Sequence, residues 1–399
     1  MNTAPKKTTT PTMRINAMTR TGTLFMLLLA LASRSLCAQP YTPFLNIFEF
    51  PSVKHIVVSE QSGYFPVLTN LEEIMFSAYR SGGGHLGVGG ALSMRWSIDS
   101  GLSWQTPDIV IDGPADDRNP AVGLTPTGRI IVAYHRQGSY DFDQKYRPEL
   151  DNAQCMTLYS DDLGRTWSLP RPLGVAGLEP CSPYGRIVQA ENGDLLMSVY
   201  GRYAASVPGA TAVRNDARDY AYLVRSLDDG ETWGEPVLLA DDHNETALYS
   251  FGDGRILAAA RTVSTQRIDI LSSEDDGRTW STPKRLTDPF NHPGDFVRLS
   301  NGWLLLLYGD RSQDFKTIRG ILTRDAGRSW DVKWVSVFSR PLQGDFGYPS
   351  GVLLPSGRLA VQYYWAGDAK SAYDGSDARL YMTLFDESDF ILMYRSRMQ

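Results

Sequence analysis

The sequence predicts an all-β protein, a six-bladed β-propeller of four-stranded antiparallel blades built on one recurring turn. Two observations carry that expectation. An eight-residue pattern occurs five times, as SIDSGLSW (97–104), SDDLGRTW (160–167), SLDDGETW (226–233), SEDDGRTW (273–280) and TRDAGRSW (323–330). Its aspartates, Asp99, Asp162, Asp228, Asp275 and Asp325, lie 63, 66, 47 and 50 residues apart, an interval that suits one blade. Around each turn, short apolar runs broken by Gly and Pro recur in the same order: strand, hairpin, strand, turn, strand.

Each residue of the pattern has a local task. The Ser or Thr hydroxyl and the Asp carboxylate bind backbone groups of a tight turn. The Gly takes a positive φ, and the Trp packs the turn onto the sheet. These aspartates are therefore read as structural. Before the turns come strand patterns such as Met156–Tyr159, Ala221–Val224 and Ile268–Leu271. After them come Pro-containing strands, and further on Gly-opened hairpins at Gly128, Gly193, Gly254, Gly302 and Gly357. The first blade opens at Gly63–Pro66 and the sixth at Asp345–Tyr348. The outer strand of the sixth is expected from Phe390–Tyr394 or from His55–Val58, and either would close the ring by pairing the chain ends.

Length and charge narrow the function. The 399 residues fit one large all-β domain over 39–399. Residues 1–38 differ: Lys6, Lys7, Arg14 and Arg20 precede an apolar run over 23–32, followed by small residues ending at Ala38. That is the pattern of a secretory signal peptide, too short in its apolar part to span a membrane, with cleavage expected after Ala38. Lipid attachment through Cys37 is a weaker alternative. Loss of five basic and no acidic residues would move the net charge from −6 to −11. An acidic exported chain, secreted or periplasmic, is a poor ligand for nucleic acid. Two cysteines, Cys155 and Cys181, do not make a disulfide framework. No metal, cofactor or phosphate-loop motif stands out, and a monomer is expected.

Propeller chemistry gathers where innermost strands begin and second strands end. Strand starts supply Asp116–Asn119, Cys181–Tyr184, His243–Glu245, His292–Asp295 and Asp345–Tyr348. Second-strand ends supply Arg80, His135 and Arg136, Arg202, Arg261, Asp310 and Arg311, and Tyr363 and Tyr364. Arginine at the same place in five blades of an acidic chain points to an anion-binding funnel.

The five turns and these positions resemble the non-viral sialidase (neuraminidase) superfamily, in which such turns are called Asp-boxes, over roughly residues 50–395. The resemblance implies a tyrosine nucleophile paired with a glutamate, because a carboxylate nucleophile would be repelled by the substrate's own carboxylate. Tyr348 in Asp-Phe-Gly-Tyr-Pro-Ser and Glu245 in His-Asn-Glu are similar to those two positions, and Arg261 to one arginine of the carboxylate-binding triad. Arg311 and Arg319 are both imperfect matches to another. Two departures stand out. The family's Tyr/Phe-Arg-Ile-Pro motif corresponds to Gly63–Pro66, which has no arginine, and His85 stands in the loop where the family's acid/base aspartate is expected. Asp117 or His85 is then the expected proton donor, with Arg80 and Arg118 as further anion contacts.

The resulting expectation is an exo-glycosidase that removes sialic acid or a related acidic sugar from a glycan with retention of configuration. Two alternatives remain. One is a hydrolase or lyase of uronic-acid- or rhamnose-containing polysaccharide using His85 and Tyr348. The other is a non-catalytic glycan-binding propeller. The first reading requires the Tyr348 hydroxyl and the Glu245 carboxylate to lie within about 3 Å of each other.

Overall fold

A computed structural model describes residues 44–61, 63–106, 108–201, 219–312, 315–367 and 378–398. The expected leader over 1–38 and Arg202 lie outside these residues. The fold is all-β and propeller-like. After the short β1 (Leu45–Asn46) and β2 (Lys54–Ser59), the chain builds antiparallel meanders. The first contains β3 (Tyr64–Leu71), β4 (Ile74–Ser81), β5 (Ala91–Ser97) and β6 (Asp108–Ile111). The next contains β7 (Asp116–Leu124), β8 (Ile130–Gln137), β9 (Ala153–Ser160) and β10 (Arg171–Pro172). Then come β11 (Ser182–Gln189), β12 (Leu195–Gly201), β13 (Tyr220–Ser226) and β14 (Gly234–Asp241). These are followed by β15 (His243–Ser250), β16 (Ile256–Thr262), β17 (Ile268–Ser273) and β18 (Lys284–Arg285). β19 (Asn291–Arg298), β20 (Leu304–Asp310), β21 (Thr317–Thr323) and β22 (Ser336–Val337) form another, and β1 pairs parallel to β22 at its edge. The last contains β23 (Phe346–Leu353), β24 (Arg358–Trp365) and β25 (Arg379–Asp386), and β2 supplies its outer strand. A parallel pairing of β7 with β11 joins two of the meanders into one eight-stranded sheet.

The innermost strands β3, β7, β11, β15, β19 and β23 each contact the next, and β23 contacts β3, so they form a ring. The two chain ends meet as expected, and the N-terminal alternative is the one used: His55 pairs with Thr383 and Ile56 with Met382. Phe390–Tyr394 is no strand. It lies in helix α1 (Glu387–Met398), where Phe390 and Tyr394, one turn apart, are both fully buried. A short apolar run has no period that separates strand from buried helix.

Buried apolar side chains fall into clusters between neighbouring meanders rather than into one central core. The recurring turns stitch these seams. In each, the first Ser or Thr hydroxyl accepts the Gly amide and donates to the Asp, as in Ser160, where the distances are 2.7 and 2.8 Å. The Asp accepts the amide and hydroxyl of the following Ser or Thr, at 2.8 and 2.7 Å for Asp162 and Thr166. Each turn presses on the meander before its own. A Cβ on Gly277 would come within 2.7 Å of Leu223, and one on Gly327 within 2.6 Å of Leu257. Trp233, 7% exposed, joins the cluster it shares with Ile131 and Ala133 of the previous meander. An aromatic of that size removes about 150–250 Å² from water, worth up to roughly 4–6 kcal/mol. Cys155 and Cys181 are buried free thiols in this same cluster.

Candidate active site

The ring of inner strands shares one irregularity. In β3, β7, β15, β19 and β23, the register against the following strand slips by one residue just after the strand begins. Each slip is a bulge that sets two residues against one and re-aims a side chain. The slots hold Phe65-Pro66, Asn119-Pro120, Asn244-Glu245, His292-Pro293 and Tyr348-Pro349. Proline fits because the bulge leaves an N–H without a ladder partner. β11 slips too, between Tyr184 and Val188. Phe65, Asn119 and Tyr348 adopt φ of 52°, 48° and 48°. Positive φ in a residue with a side chain costs free energy and persists only where the surroundings hold it.

Tyr348 and Glu245, more than 100 residues apart, meet directly: the phenol donates to Glu245 Oε1. Glu245 is 4% exposed, and its second oxygen accepts from Arg261 Nη1 at 2.6 Å. The tyrosine ring packs against Phe65 at 4.7 Å, Tyr364 at 5.8 Å and Tyr184 at 6.0 Å. Burial, followed by the Glu245 charge, pushes the Tyr348 phenol well above its ordinary pKa. It is therefore a protonated group whose only route to a nucleophile is transfer of its proton to that carboxylate. This meets the distance requirement set by the sequence.

Arg311, just past β20, reaches the same strand start. Its Nη atoms donate to the carbonyls of His292 and Phe346, and its guanidinium lies over the Phe346 ring at 5.4 Å. The glycine in Asp-Phe-Gly-Tyr is what admits it, since a Cβ on Gly347 would meet Arg311 Cζ at 2.9 Å. Five N–H donors against two carbonyls leave capacity for a ligand anion. Arg319, the other candidate, pairs instead with the buried Asp310 at 2.5 Å.

His85 lies 23% exposed with its Nδ1 at 2.7 Å from Asp345 Oδ2. The carboxylate fixes Nδ1 as the donor and leaves Nε2 free to exchange a proton. Asp345 Oδ1 accepts from Tyr364 at 2.6 Å. Burial alone would raise the Asp345 pKa, but His85, Tyr364 and the Arg311 charge outweigh it and lower it. The imidazole edge meets Phe65 at 4.9 Å, so His85 and Tyr348 share one aromatic floor. Arg118 approaches the same ring at 5.3 Å, bringing a cation to the slot where the family's arginine motif is missing.

Two expected site residues have other work. Arg80 is fully buried, with Nε on Asp116 at 2.8 Å and its Nη atoms on the carbonyls of Gly83, Gly84 and Gly87. It holds the His85 loop from beneath rather than a substrate. Asp117 is also fully buried, on the face of β7 opposite Asp116, between the Gly113 amide at 2.7 Å and Arg136 Nε at 3.3 Å. Burial raises its pKa. A carboxyl sealed in this way cannot deliver a proton to a substrate.

The sequence places His292 among the strand starts at the mouth but gives it no role, although His292-Pro293 repeats the residue-plus-proline signature of Phe65-Pro66 and Tyr348-Pro349. It is 5% exposed, and among the described residues neither ring nitrogen has a hydrogen-bond partner.

The propeller-like fold is one that solved sialidases share. The chain belongs to the BNR repeat-like domain family, whose model matches residues 75–361. No curated protein matches it in sequence. Among solved structures, a protein of unknown function from Dyadobacter fermentans superposes with a TM-score of 0.67 at 21% identity, covering 84% of this chain and 100% of that one. The intramolecular trans-sialidase of Ruminococcus gnavus, solved with oseltamivir carboxylate, gives 0.64 at 16% identity, over 83% and 96% of the two chains. The sialidase of Trypanosoma rangeli with the inhibitor DANA gives 0.63 at 13% identity, over 87% of this chain and 62% of that one.

Proposed function

We propose that this protein is a retaining exo-glycosidase that releases a terminal acidic sugar, sialic acid or a close relative, from glycans. The observation that carries the reading is the Tyr348–Glu245–Arg261 chain of hydrogen bonds at the mouth of the inner-strand ring. Tyr348 Oη attacks the anomeric carbon while its proton passes to Glu245 Oε1. The bond to the leaving oxygen breaks, and that oxygen takes a proton from His85 Nε2, whose imidazolium is held by Asp345. A water deprotonated by His85 then attacks the anomeric carbon, the tyrosyl bond breaks, and the phenolate recovers its proton from Glu245. Arg261, Arg311 and Arg118 supply the positive field for the sugar carboxylate.

The six-bladed description belongs to the same reading, supported by the ring of six inner strands and the turn repeated at the seams. So does export after cleavage near Ala38, supported by the basic and apolar pattern of residues 1–38. The His85–Asp345 pair and the Phe65 slot favour one further reading, a hydrolase or lyase of uronic-acid-containing polysaccharide centred on His85 and Tyr348.

The test uses the chain from Gln39 onward with fluorogenic α-sialosides and glucuronides, and Tyr348→Phe beside it. Release by wild type and loss in the variant support the mechanism, and NMR of the first-formed anomer reads the stereochemistry. Equal release by both proteins would remove Tyr348 from the chemistry.

A further inference from the structure

His292 occupies the first position of the β19 bulge, which corresponds to Phe65, Asn244 and Tyr348 in other inner strands, Glu245 following Asn244 in the same slot. Its main-chain carbonyl is fixed by Arg311. Its side chain is buried, and both ring nitrogens lack a partner among the described residues. Buried polar atoms are almost always bonded, so two on one ring call for an explanation. Burial, then the charges of Arg311 and Arg261, pushes its pKa far below the ordinary histidine value. The ring is thus a neutral imidazole with one N–H donor and one lone-pair acceptor, beside side chains that only donate.

We infer that His292 is a substrate-binding residue that selects a hydroxylated sugar acid, its N–H meeting a carboxylate or ring oxygen and its bare nitrogen accepting a sugar hydroxyl. The argument is one of complementarity. Arg261 and Arg311 attract any anion. Sulfate offers acceptors alone and leaves the imidazole lone pair unmatched, whereas a neutral sugar leaves the guanidinium groups unmatched. A uronic or ulosonic acid satisfies both. Arg261 Nε, likewise buried and without a partner among the described residues, adds one more donor for the same ligand. This specificity role rests on the glycosidase reading for its substrate but not on the Tyr348 chemistry.

Binding rather than turnover is therefore the test. Dissociation constants for N-acetylneuraminate, D-glucuronate and sulfate are measured calorimetrically with wild type, His292→Gln and His292→Phe. Glutamine keeps a donor and an acceptor, whereas phenylalanine keeps neither. The expected result is a roughly 10–100-fold weaker constant for the preferred sugar acid in His292→Phe, most of it restored in His292→Gln, with sulfate unchanged. A sugar-acid constant that ignores both substitutions overturns the inference, as does wild type binding neither sugar acid. Should the phenylalanine variant misfold, the ¹⁵N signals of the wild-type His292 ring decide. They should report a neutral imidazole that moves on adding sugar acid and not on adding sulfate, and signals indifferent to the sugar acid would overturn the proposal. Sugar-acid binding that depends on His292, in a protein whose Tyr348→Phe variant still turns over substrate, would sink the tyrosine mechanism alone.

Discussion

The repeated turns at the seams and the bulged slots at the mouth are both periodic features, but they repeat opposite things. In the turns the side chains repeat: the same Ser/Thr, Asp and Gly make the same bonds at Asp99, Asp162, Asp228, Asp275 and Asp325, and a Trp ends each pattern. At the mouth the backbone repeats and the side chains do not, so equivalent two-residue slots hold Phe65-Pro66, Asn119-Pro120, Asn244-Glu245, His292-Pro293 and Tyr348-Pro349. One geometry is reused for packing, which every seam needs alike. The other is reused to aim different groups at one point, which chemistry needs. Substitutions should therefore damage stability in the first region and activity in the second.

The largest effect expected is catalytic. Tyr348→Phe or Glu245→Gln should lower turnover of the cleaved glycoside by roughly 10²–10⁴-fold with a thermal midpoint near wild type. A variant that keeps its rate, or one that loses its fold along with its rate, breaks the separation between the two regions.

Next comes a stability contrast within the glycines. Gly327 has φ 87° and lies against Leu257, whereas Gly357 has φ 81° with open space around it. Gly357→Ala should cost about 1–2 kcal/mol from backbone strain alone. Gly327→Ala adds overpacking at the seam and should cost about 2–5 kcal/mol, read from denaturant midpoints. Equal losses would mean that the turns do not press on the neighbouring meander.

These two regions were also unequally legible. The turns announce themselves because every bond in them spans four residues or fewer, so spacing in the sequence is spacing in space. The strand pattern gathers Tyr348, Glu245 and Arg261 at the mouth, but their roles and pairing come only through family resemblance, since the first two meet across more than 100 residues. Arg80 was expected at the substrate, but it is held by Asp116 and by carbonyls of a glycine loop, and no side-chain pattern reveals the carbonyls. Asp117 and Asp116 are neighbours in sequence on opposite faces of β7, and the letter D does not tell that both faces are sealed. His292 had a readable signal in its proline, but that signal acquires meaning only when the bulges are seen to be equivalent.

A smaller catalytic effect separates proton donation from attack. Asp345→Asn should slow release of an alkyl or sugar leaving group by about tenfold to a hundredfold, because the asparagine no longer stabilises the His85 imidazolium. An activated aryl leaving group departs without protonation and should be slowed far less. The same ratio for both leaving groups would remove the His85–Asp345 pair from the donor role.

The smallest effect lies in acid stability, and there the two regions should differ in sign. Thr166 and Ser160 push the Asp162 carboxyl down to about 2 against burial, below the ~3.9 of an unfolded chain. Asp99, Asp228, Asp275 and Asp325 are lowered as well, burial notwithstanding, by the equivalent hydrogen bonds. A carboxyl depressed on folding stabilises the protein above its unfolded pKa, and that contribution fades as pH falls from about 4 towards 2. Asp117 runs the other way: burial raises its pKa, so it holds its proton more tightly when folded and opposes acid unfolding. Asp162→Asn should make the thermal midpoint less sensitive to pH between about 4 and 2, and Asp117→Asn should make it more sensitive above about pH 4, where the folded carboxyl takes up its proton first. If both variants change the slope in the same direction, the contrast between a hydrogen-bonded turn carboxylate and a sealed one at the mouth does not hold.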